Sequence, residues 1–160
     1  MYVSENRPRE KIADSFSALS LLALAELRQK GLSFAIVCGP ITTGGRDSVE
    51  ENVRAIRLVI DHLTKYWEEQ IFDQLPYEAT LWTLKDEWEA QECHTGYCTP
   101  LLKEFYLPVY QSGLIHRAYF LPGWDSSIGA RWEREQLTQL KIPIIDLPEE
   151  TVNRLLERVA

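Results

Sequence analysis

The sequence predicts an α/β domain in which helices cover both faces of a parallel β-sheet. Short apolar runs, which have the length of buried strands, alternate with longer segments of helical periodicity. Two of these runs, 33–38 and 118–121, lead through a glycine-containing loop directly into a helix. The chain has 160 residues, of which 45% are hydrophobic, and this suits a single domain over 1–160. We therefore expect a three-layer α/β/α arrangement with roughly four or five parallel strands, as in flavodoxin-like and Rossmann-like folds.

Composition restricts the classes of partner. The formal net charge of -7 argues against non-specific binding to duplex nucleic acid, because such proteins need a basic face. No apolar stretch reaches the roughly 20 residues of a membrane-spanning helix, so we expect no association with a membrane. The cysteines, Cys38, Cys93 and Cys98, are too few for a secreted disulfide framework. This favours a cytoplasmic location.

A metal site is suggested by only one cluster, formed by Cys93, His94 and Cys98. Structural zinc sites need four ligands, and no second ligand pair follows this cluster. We therefore expect neither a metal nor another cofactor.

The N-terminal part of the chain, 1–32, is predicted to be an arm followed by a helix. Residues 1–13 are polar and charged, which is typical of a loose terminus. Apolar residues then recur from about Asp14, and Gly31 is a suitable helix stop.

The first predicted strand, 33–38, is almost entirely apolar, as strands buried on both faces of a parallel sheet are. A glycine-rich loop follows over 39–47, and Ser48 with Glu51 forms a capping box that starts the next helix. Glycines allow a ligand to approach the backbone closely, and Arg46 offers a fork of hydrogen-bond donors. A plain tight turn explains the same residues.

The segment 73–98 has no clean period and is rich in aromatic and acidic residues. A loop of this length is either functional or contains short helices. It is interpreted either as a flap whose aromatic rings stack on a ligand or as a surface excursion with its own small core. The other predicted elements are a strand over 67–72, a helix over 101–112 that Pro108 interrupts, an edge strand over 141–145 and a helix over 148–159.

The central motif joins the strand 118–121 to a helix that runs to about residue 140. A Pro-Gly pair ends the strand, and the candidate N-caps that follow are Asp125, Ser126 and Ser127. Glu133 shares one face of this helix with apolar residues, namely Ala130, Leu137 and Leu140. Because burial of an unpaired carboxylate is costly, Glu133 is either satisfied by a partner or kept for chemistry.

Two segments resemble a known superfamily. The string Ser-Ile-Gly-Ala-Arg-Trp-Glu at 127–133 resembles the Ser-Leu-Gly-x-x-Tyr-Glu segment of the nucleoside 2-deoxyribosyltransferase-like superfamily, which includes the 2'-deoxynucleoside 5'-phosphate N-hydrolases. The loop from Gly39 to Arg46 is similar to the Gly-Ser-Ile-Arg-Gly-Gly-Arg loop of those hydrolases. The resemblance implies the same fold, a sugar- and phosphate-binding role for this loop, and a Glu133 that attacks the anomeric carbon to form a glycosyl-enzyme intermediate.

The candidate catalytic residue is therefore Glu133. The candidate substrate-binding residues are Gly39, Ile41, Thr42, Gly44, Gly45, Arg46, Asp125, Ser127, Gly129 and Arg131. The relatives carry two Asp residues that this chain lacks, since the corresponding positions fall near Pro108-Val109 and near Arg117. The usual acid is missing unless another residue replaces it, the options being Glu104, Tyr106, Tyr110, Asp125 or a residue of 73–98.

The function expected on these grounds is cleavage or transfer of the N-glycosidic bond of a nucleoside or nucleotide, preferably a 2'-deoxy one, in a protein that the resemblance implies is a homodimer or larger. The alternative is a non-catalytic module that binds or senses a nucleotide in the same pocket. A third interpretation uses the same carboxylate on a ribonucleotide or on an NAD-like substrate.

Overall fold

The computed structural model describes residues 10–31, 33–91, 94 and 96–158. The helices are α1 (Phe16–Lys30), α2 (Val49–Tyr66), α3 (Glu78–Glu89), a π-helix (Leu101–Tyr106), α4 (Leu107–Gln111), α5 (Ile128–Gln139) and α6 (Glu149–Glu157). The strands are β1 (Phe34–Cys38), β2 (Ile115–Phe120) and β3 (Ile144–Asp146), and short 3-10 turns lie at Leu75–Tyr77 and Trp124–Ser126. The predicted α/β class is thus confirmed. In the described residues, no helix combines the length and the apolar character needed to cross a membrane.

The sheet has three parallel strands in the order β1-β2-β3 among the described residues, in place of the four or five predicted. The predicted strand at 67–72 contributes a single bridge, between Ile71 and Ala35. Ala35 donates its N–H to the Gln70 carbonyl at 2.8 Å and accepts from the Phe72 N–H at 2.8 Å. Pairing ends there because the Asp73 side chain accepts from the Leu75 N–H at 3.0 Å and turns the chain away.

Successive residues of each strand enter two different cores, as the two-residue period of a strand requires. Phe34, Ile36 and Cys38 of β1 pack in one core, whereas Ala35 and Val37 pack in the other. The α1-side core also contains Leu19, Leu27, Phe105, Val109, Phe120 and Leu137. The α2-side core also contains Ile56, Val59, Leu63, Tyr119, Leu121 and Val152.

Serine caps start the helices where the sequence places them. Ser48 accepts a hydrogen bond from the Glu51 N–H at 3.1 Å, and Ser127 accepts one from the Ala130 N–H at 3.3 Å. These bonds satisfy N–H groups that have no partner within the helix.

Two predicted elements differ in detail. The predicted helix over 101–112 is a π-helix that continues into α4, and Pro108 lies in the first turn of α4, where its missing N–H is tolerated. The predicted edge strand over 141–145 begins later, at Ile144, because Lys141 adopts a φ of 57° and still donates to the Thr138 carbonyl at the end of α5. The strand does lie at a sheet edge.

Candidate functional site

The loops that follow β1 and β2 form one unit at the carboxyl ends of these adjacent strands. The first loop spans 39–48 and the second spans 121–127. The Gly45 N–H donates to Ser126 Oγ at 2.7 Å, and the Ile128 N–H donates to Thr43 Oγ1 at 2.9 Å. One loop therefore holds the other, and this edge of a parallel sheet is where ligands bind in open α/β folds.

Asn52, in the first turn of α2, shapes the first loop. Its side chain is 4% exposed and accepts from the Arg46 N–H at 2.8 Å. It also donates to the carbonyls of Ile41 at 3.0 Å and Gly44 at 3.1 Å. Asn52 is not among the residues predicted from the sequence, although an amide on the apolar face of a helix that follows a glycine loop is a usable signal.

Gly44 is required for the contact between the loops. Its φ is 65°, and a Cβ at this position would lie 2.2 Å from the Ser126 carbonyl oxygen. Real Cβ atoms do not approach a backbone oxygen so closely, and a positive φ disfavours other residues.

A cleft opens between these loops, α5, α3 and residues 97–106. It has about 620 Å³ of empty space when its mouth is included. Its lining residues are Gly39, Ile41, Thr42, Glu78, Leu81, Trp82, Lys85, Tyr97, Cys98, Leu101, Leu102, Tyr106, Ser127, Gly129, Ala130 and Glu133. Such an apolar cleft with a few polar groups is typical of a small-molecule site.

Glu133 lies on the second turn of α5 and faces this cleft, with only 9% of the residue exposed. Burial raises the pKa of its carboxyl from 4.5 to about 7, and the Cys38 thiol and the Tyr110 hydroxyl oppose this rise. The protonated and ionised forms of Glu133 are therefore both populated near neutral pH, which suits a group that takes part in chemistry.

The groups around Glu133 are themselves perturbed. Burial, reinforced by the Glu133 charge, raises the pKa of the Cys38 thiol and of the Tyr110 hydroxyl well above their ordinary values. Burial and the same charge raise the pKa of Tyr97 to about 12. These three groups stay protonated and uncharged at neutral pH.

Tyr97 closes one side of the cleft above α5. A Cβ at Gly129 would lie 2.8 Å from the Tyr97 hydroxyl oxygen, so the glycine makes room for this ring. The Thr42 side chain of the first loop opposes part of the rise in the Tyr97 pKa. Thr42 and Tyr97 both line the cleft.

The structure brings together part of the predicted site. The predicted residues that line the cleft are Gly39, Ile41, Thr42, Ser127, Gly129 and Glu133. The predicted residues outside this lining are Gly44, Gly45, Arg46, Asp125 and Arg131. Asp125 and Arg131 are exposed to solvent. Arg46 Nη2 donates to Asn153 Oδ1 of α6 at 3.2 Å. Arg46 lines a second, more polar pocket together with Asp47, Glu51 and Glu149.

The segment 73–98 agrees with both interpretations that the sequence left open. Its helix α3 places Trp82 and Lys85 in the cleft wall, as the flap interpretation requires. Leu81 and Leu84 of the same helix are buried in the α1-side core, as an excursion with packed side chains requires. Trp88 stacks on His94 with ring centroids 4.4 Å apart and does not line the cleft.

Among the described residues, no group of His, Cys, Asp and Glu side chains is arranged to hold a metal ion. Cys93, which belonged to the cysteine and histidine cluster considered above, lies outside the described residues.

Comparison of the chain with models of protein families, with curated proteins and with solved structures finds no match.

Proposed function

We propose that this protein cleaves or transfers the N-glycosidic bond of a nucleoside or nucleotide, preferably a 2'-deoxy one, with Glu133 as the nucleophile. The observation that carries the proposal is a buried carboxylate facing a cleft at the carboxyl ends of β1 and β2. We also propose a three-layer, flavodoxin-like arrangement. In its support, alternate residues of β1 pack into two different cores, so both faces of the sheet are covered.

In the first step, a Glu133 carboxylate oxygen forms a bond to C1' while the C1'–N bond breaks and its electrons leave with the base. The transition state resembles an oxocarbenium ion, which the nearby carboxylate stabilises. A 2'-deoxy sugar forms this cation more readily than ribose does. Water or a second base then attacks C1' and releases Glu133.

The departing base needs a proton, and Glu78 is our candidate donor. It lines the same cleft from α3. Burial, reinforced by the charges of Glu133 and Glu78, raises the pKa of the Tyr106 hydroxyl. A pair of carboxyl groups flanking the bond is the usual arrangement for glycoside cleavage. In the second step, Glu78 takes back a proton from the attacking water.

The cleft lining favours an uncharged nucleoside over its 5'-phosphate. Lys85, the cation of the lining, is already paired with Glu89 at 2.6 Å, and Arg46 contacts Asn153 outside the cleft. Trp82, Tyr97 and Tyr106 offer aromatic surface for a base. A phosphate would also meet the carboxylates of the lining, which repel it.

The alternative is a binding or sensing module that uses the same cleft without turnover. One observation favours it: Pro108 and Arg117 stand near the positions where the superfamily carries Asp residues.

The resemblance also implies a homodimer or larger assembly, and the small number of cysteines favours the cytoplasm; we include both in the proposal. Ile128, at the start of α5 beside the cleft loops, is 44% exposed, and a neighbouring subunit would cover such an apolar side chain.

The proposal is tested by base release from deoxynucleosides, their 5'-monophosphates, ribonucleosides, ribonucleotides and NAD, with wild type and Glu133→Gln run together. Release by the wild type alone is expected, with deoxynucleosides best. Because the nucleophile must be ionised, kcat/KM should rise about tenfold per pH unit below the Glu133 pKa of about 7, and it should fall again at the pH where the Glu78 donor loses its proton. A rate that does not rise with pH below this pKa would contradict Glu133 as the nucleophile, and binding without release from any compound would favour the sensing module.

A further inference from the structure

A serine, a histidine and a glutamate lie in sequence beside one another at the amino ends of β1 and β2, which is the opposite end of the sheet from the cleft. Ser33 directly precedes β1, His116 belongs to β2, and Glu69 follows α2. Ser33 Oγ lies 2.9 Å from His116 Nδ1, and His116 Nε2 lies 3.9 Å from Glu69 Oε2. A nucleophile within hydrogen-bond reach of a base, with a third group behind the base, is the arrangement of a catalytic triad.

The backbone that carries the histidine is irregular. Phe34 of β1 pairs with Ile115 of β2. The next residue of β1, Ala35, pairs with Arg117, so His116 is an extra residue in β2. Such a bulge changes the direction in which a side chain leaves the strand, and bulges are frequent beside active sites.

The glutamate is held in place by two other side chains. Glu69 Oε1 accepts from the Tyr119 hydroxyl at 2.6 Å and pairs with Arg117 Nη1 at 3.0 Å. The other carboxylate oxygen, Oε2, faces His116. A carboxylate on this side of the ring favours the tautomer that carries its proton on Nε2. His116 Nδ1 is then free to accept the hydroxyl proton of Ser33.

A substrate can reach this cluster from solvent. Ser33 is exposed, and the Arg117 side chain, which pairs with Glu69, is 41% exposed. Its guanidinium is a cation that can stabilise the oxyanion formed when a hydroxyl attacks a carbonyl. Trp67 is 50% exposed, and its ring lies 5.9 Å from that of Tyr119, so apolar surface adjoins the same cluster.

We propose that Ser33 is the nucleophile of a second site, which hydrolyses small carboxylic esters with His116 as the general base and Glu69 as a positioning residue. Ser33 Oγ bonds to the carbonyl carbon of the ester while its proton passes to His116 Nδ1. The ester C–O bond then breaks, and the leaving alkoxide takes this proton. Water attacks the acylated serine, again giving a proton to His116, and the serine hydroxyl is restored as the carboxylic acid leaves.

The test treats the wild-type protein with a fluorophosphonate, which phosphonylates activated serines, and locates the adduct by peptide mapping. One adduct on Ser33 is expected. Because the base accepts the serine proton, His116→Gln should slow the labelling of Ser33 by about tenfold or more. Absence of an adduct on Ser33 would overturn the proposal and leave an ordinary hydrogen bond between Ser33 and His116. This measurement needs only the wild type, so it remains decisive if His116→Gln does not fold.

Turnover is measured with p-nitrophenyl acetate. The wild type should release nitrophenol faster than Ser33→Ala by about tenfold or more, since the variant lacks the nucleophile. Ser17→Ala is the matched control, because it removes an exposed serine hydroxyl on α1, and it should hydrolyse the ester as the wild type does. Equal rates for the wild type and Ser33→Ala would overturn the proposal. Base release from nucleosides should not change in Ser33→Ala, so the two proposed activities can fail separately.

Discussion

Glu133 and Glu69 are two carboxylates beside buried tyrosines, and their surroundings differ. Glu69 accepts from the Tyr119 hydroxyl at 2.6 Å and pairs with Arg117 at 3.0 Å. Glu133 is influenced by Cys38 and Tyr110, and no cation is among the groups that shift its pKa in the described part of the chain.

The difference separates a carboxylate with charged and hydrogen-bonding partners from one that burial leaves without a cation. A paired carboxylate needs no further explanation, because its partners replace the water that burial removes. A buried carboxylate whose only help comes from neutral donors reduces stability when ionised, and such groups concentrate at active sites. For base release, the comparison therefore directs attention to the cleft and not to the Glu69 network.

The largest expected effect is on activity. Glu133→Gln should reduce base release about a thousandfold or more, because the amide cannot form the covalent intermediate. Glu69→Gln should stay within about threefold of wild type, since Glu69 does not line the cleft. Initial rates on the best substrate measure both. Equal losses of base release in the two variants would contradict the different roles given to Glu133 and Glu69.

The second effect is on the free energy of unfolding, which Glu133→Gln should increase and Glu69→Gln should decrease near pH 8. Folding raises the pKa of Glu133 from 4.5 to about 7, so between these values the folded state holds a proton that the unfolded state has released. Wild-type stability should therefore fall as pH rises through this window, by about 3 kcal/mol in total.

Glu133→Gln lacks the titrating carboxyl and therefore this dependence on pH. It should be up to about 3 kcal/mol more stable than wild type at about pH 8, and the gain should vanish near pH 4. Glu69→Gln should instead lose about 1 kcal/mol near pH 8, because it weakens the contacts to Arg117 and Tyr119. Urea unfolding at several pH values gives these differences. A gain for Glu133→Gln that does not depend on pH would contradict the account.

The third effect concerns the contact between the cleft loops. Gly113→Ala should cost about 1 kcal/mol, because its φ is 78° but nothing lies within 4 Å of the added methyl group. Gly44→Ala should cost about 1 kcal/mol or more beyond that, since its methyl group meets the Ser126 carbonyl. Thermal unfolding of the two variants isolates the steric part, and equal costs would mean that the loops separate easily.

The smallest expected effect is that of Arg46→Ala. Because Arg46 contacts Asn153 outside the cleft, KM for a nucleoside should change by less than about threefold. Steady-state kinetics with a nucleoside and its 5'-phosphate checks this. A large loss confined to the phosphate would show that Arg46 turns toward the ligand, as the resemblance implies.

Local patterns were sufficient for much of the fold. The apolar run of β1, the Ser48 cap and the helical spacing that buries Glu133 are all local features, and the structure agrees with each. The strand predicted over 67–72 is reduced to a single bridge at Ile71, because the chain turns away after it.

The walls of the site were harder to anticipate. Whether Arg46 faces the cleft or α6 depends on Asn153, more than 100 residues away. The contribution of α3 and the approach of Tyr110 to Glu133 also depend on packing between distant segments, which no local period encodes. The burial of Glu133 could be predicted, whereas its neighbours could not.

The most direct test of the central claim is to trap the intermediate on Glu133. A nucleoside with fluorine at C2' of its sugar slows hydrolysis of the glycosyl ester, because the fluorine destabilises the oxocarbenium-like transition state. Intact-mass spectrometry should show the mass of one fluorinated sugar added to the wild type, peptide mapping should place it on Glu133, and Glu133→Gln should stay unmodified. Base release without an adduct, or an adduct on another residue, would contradict the account.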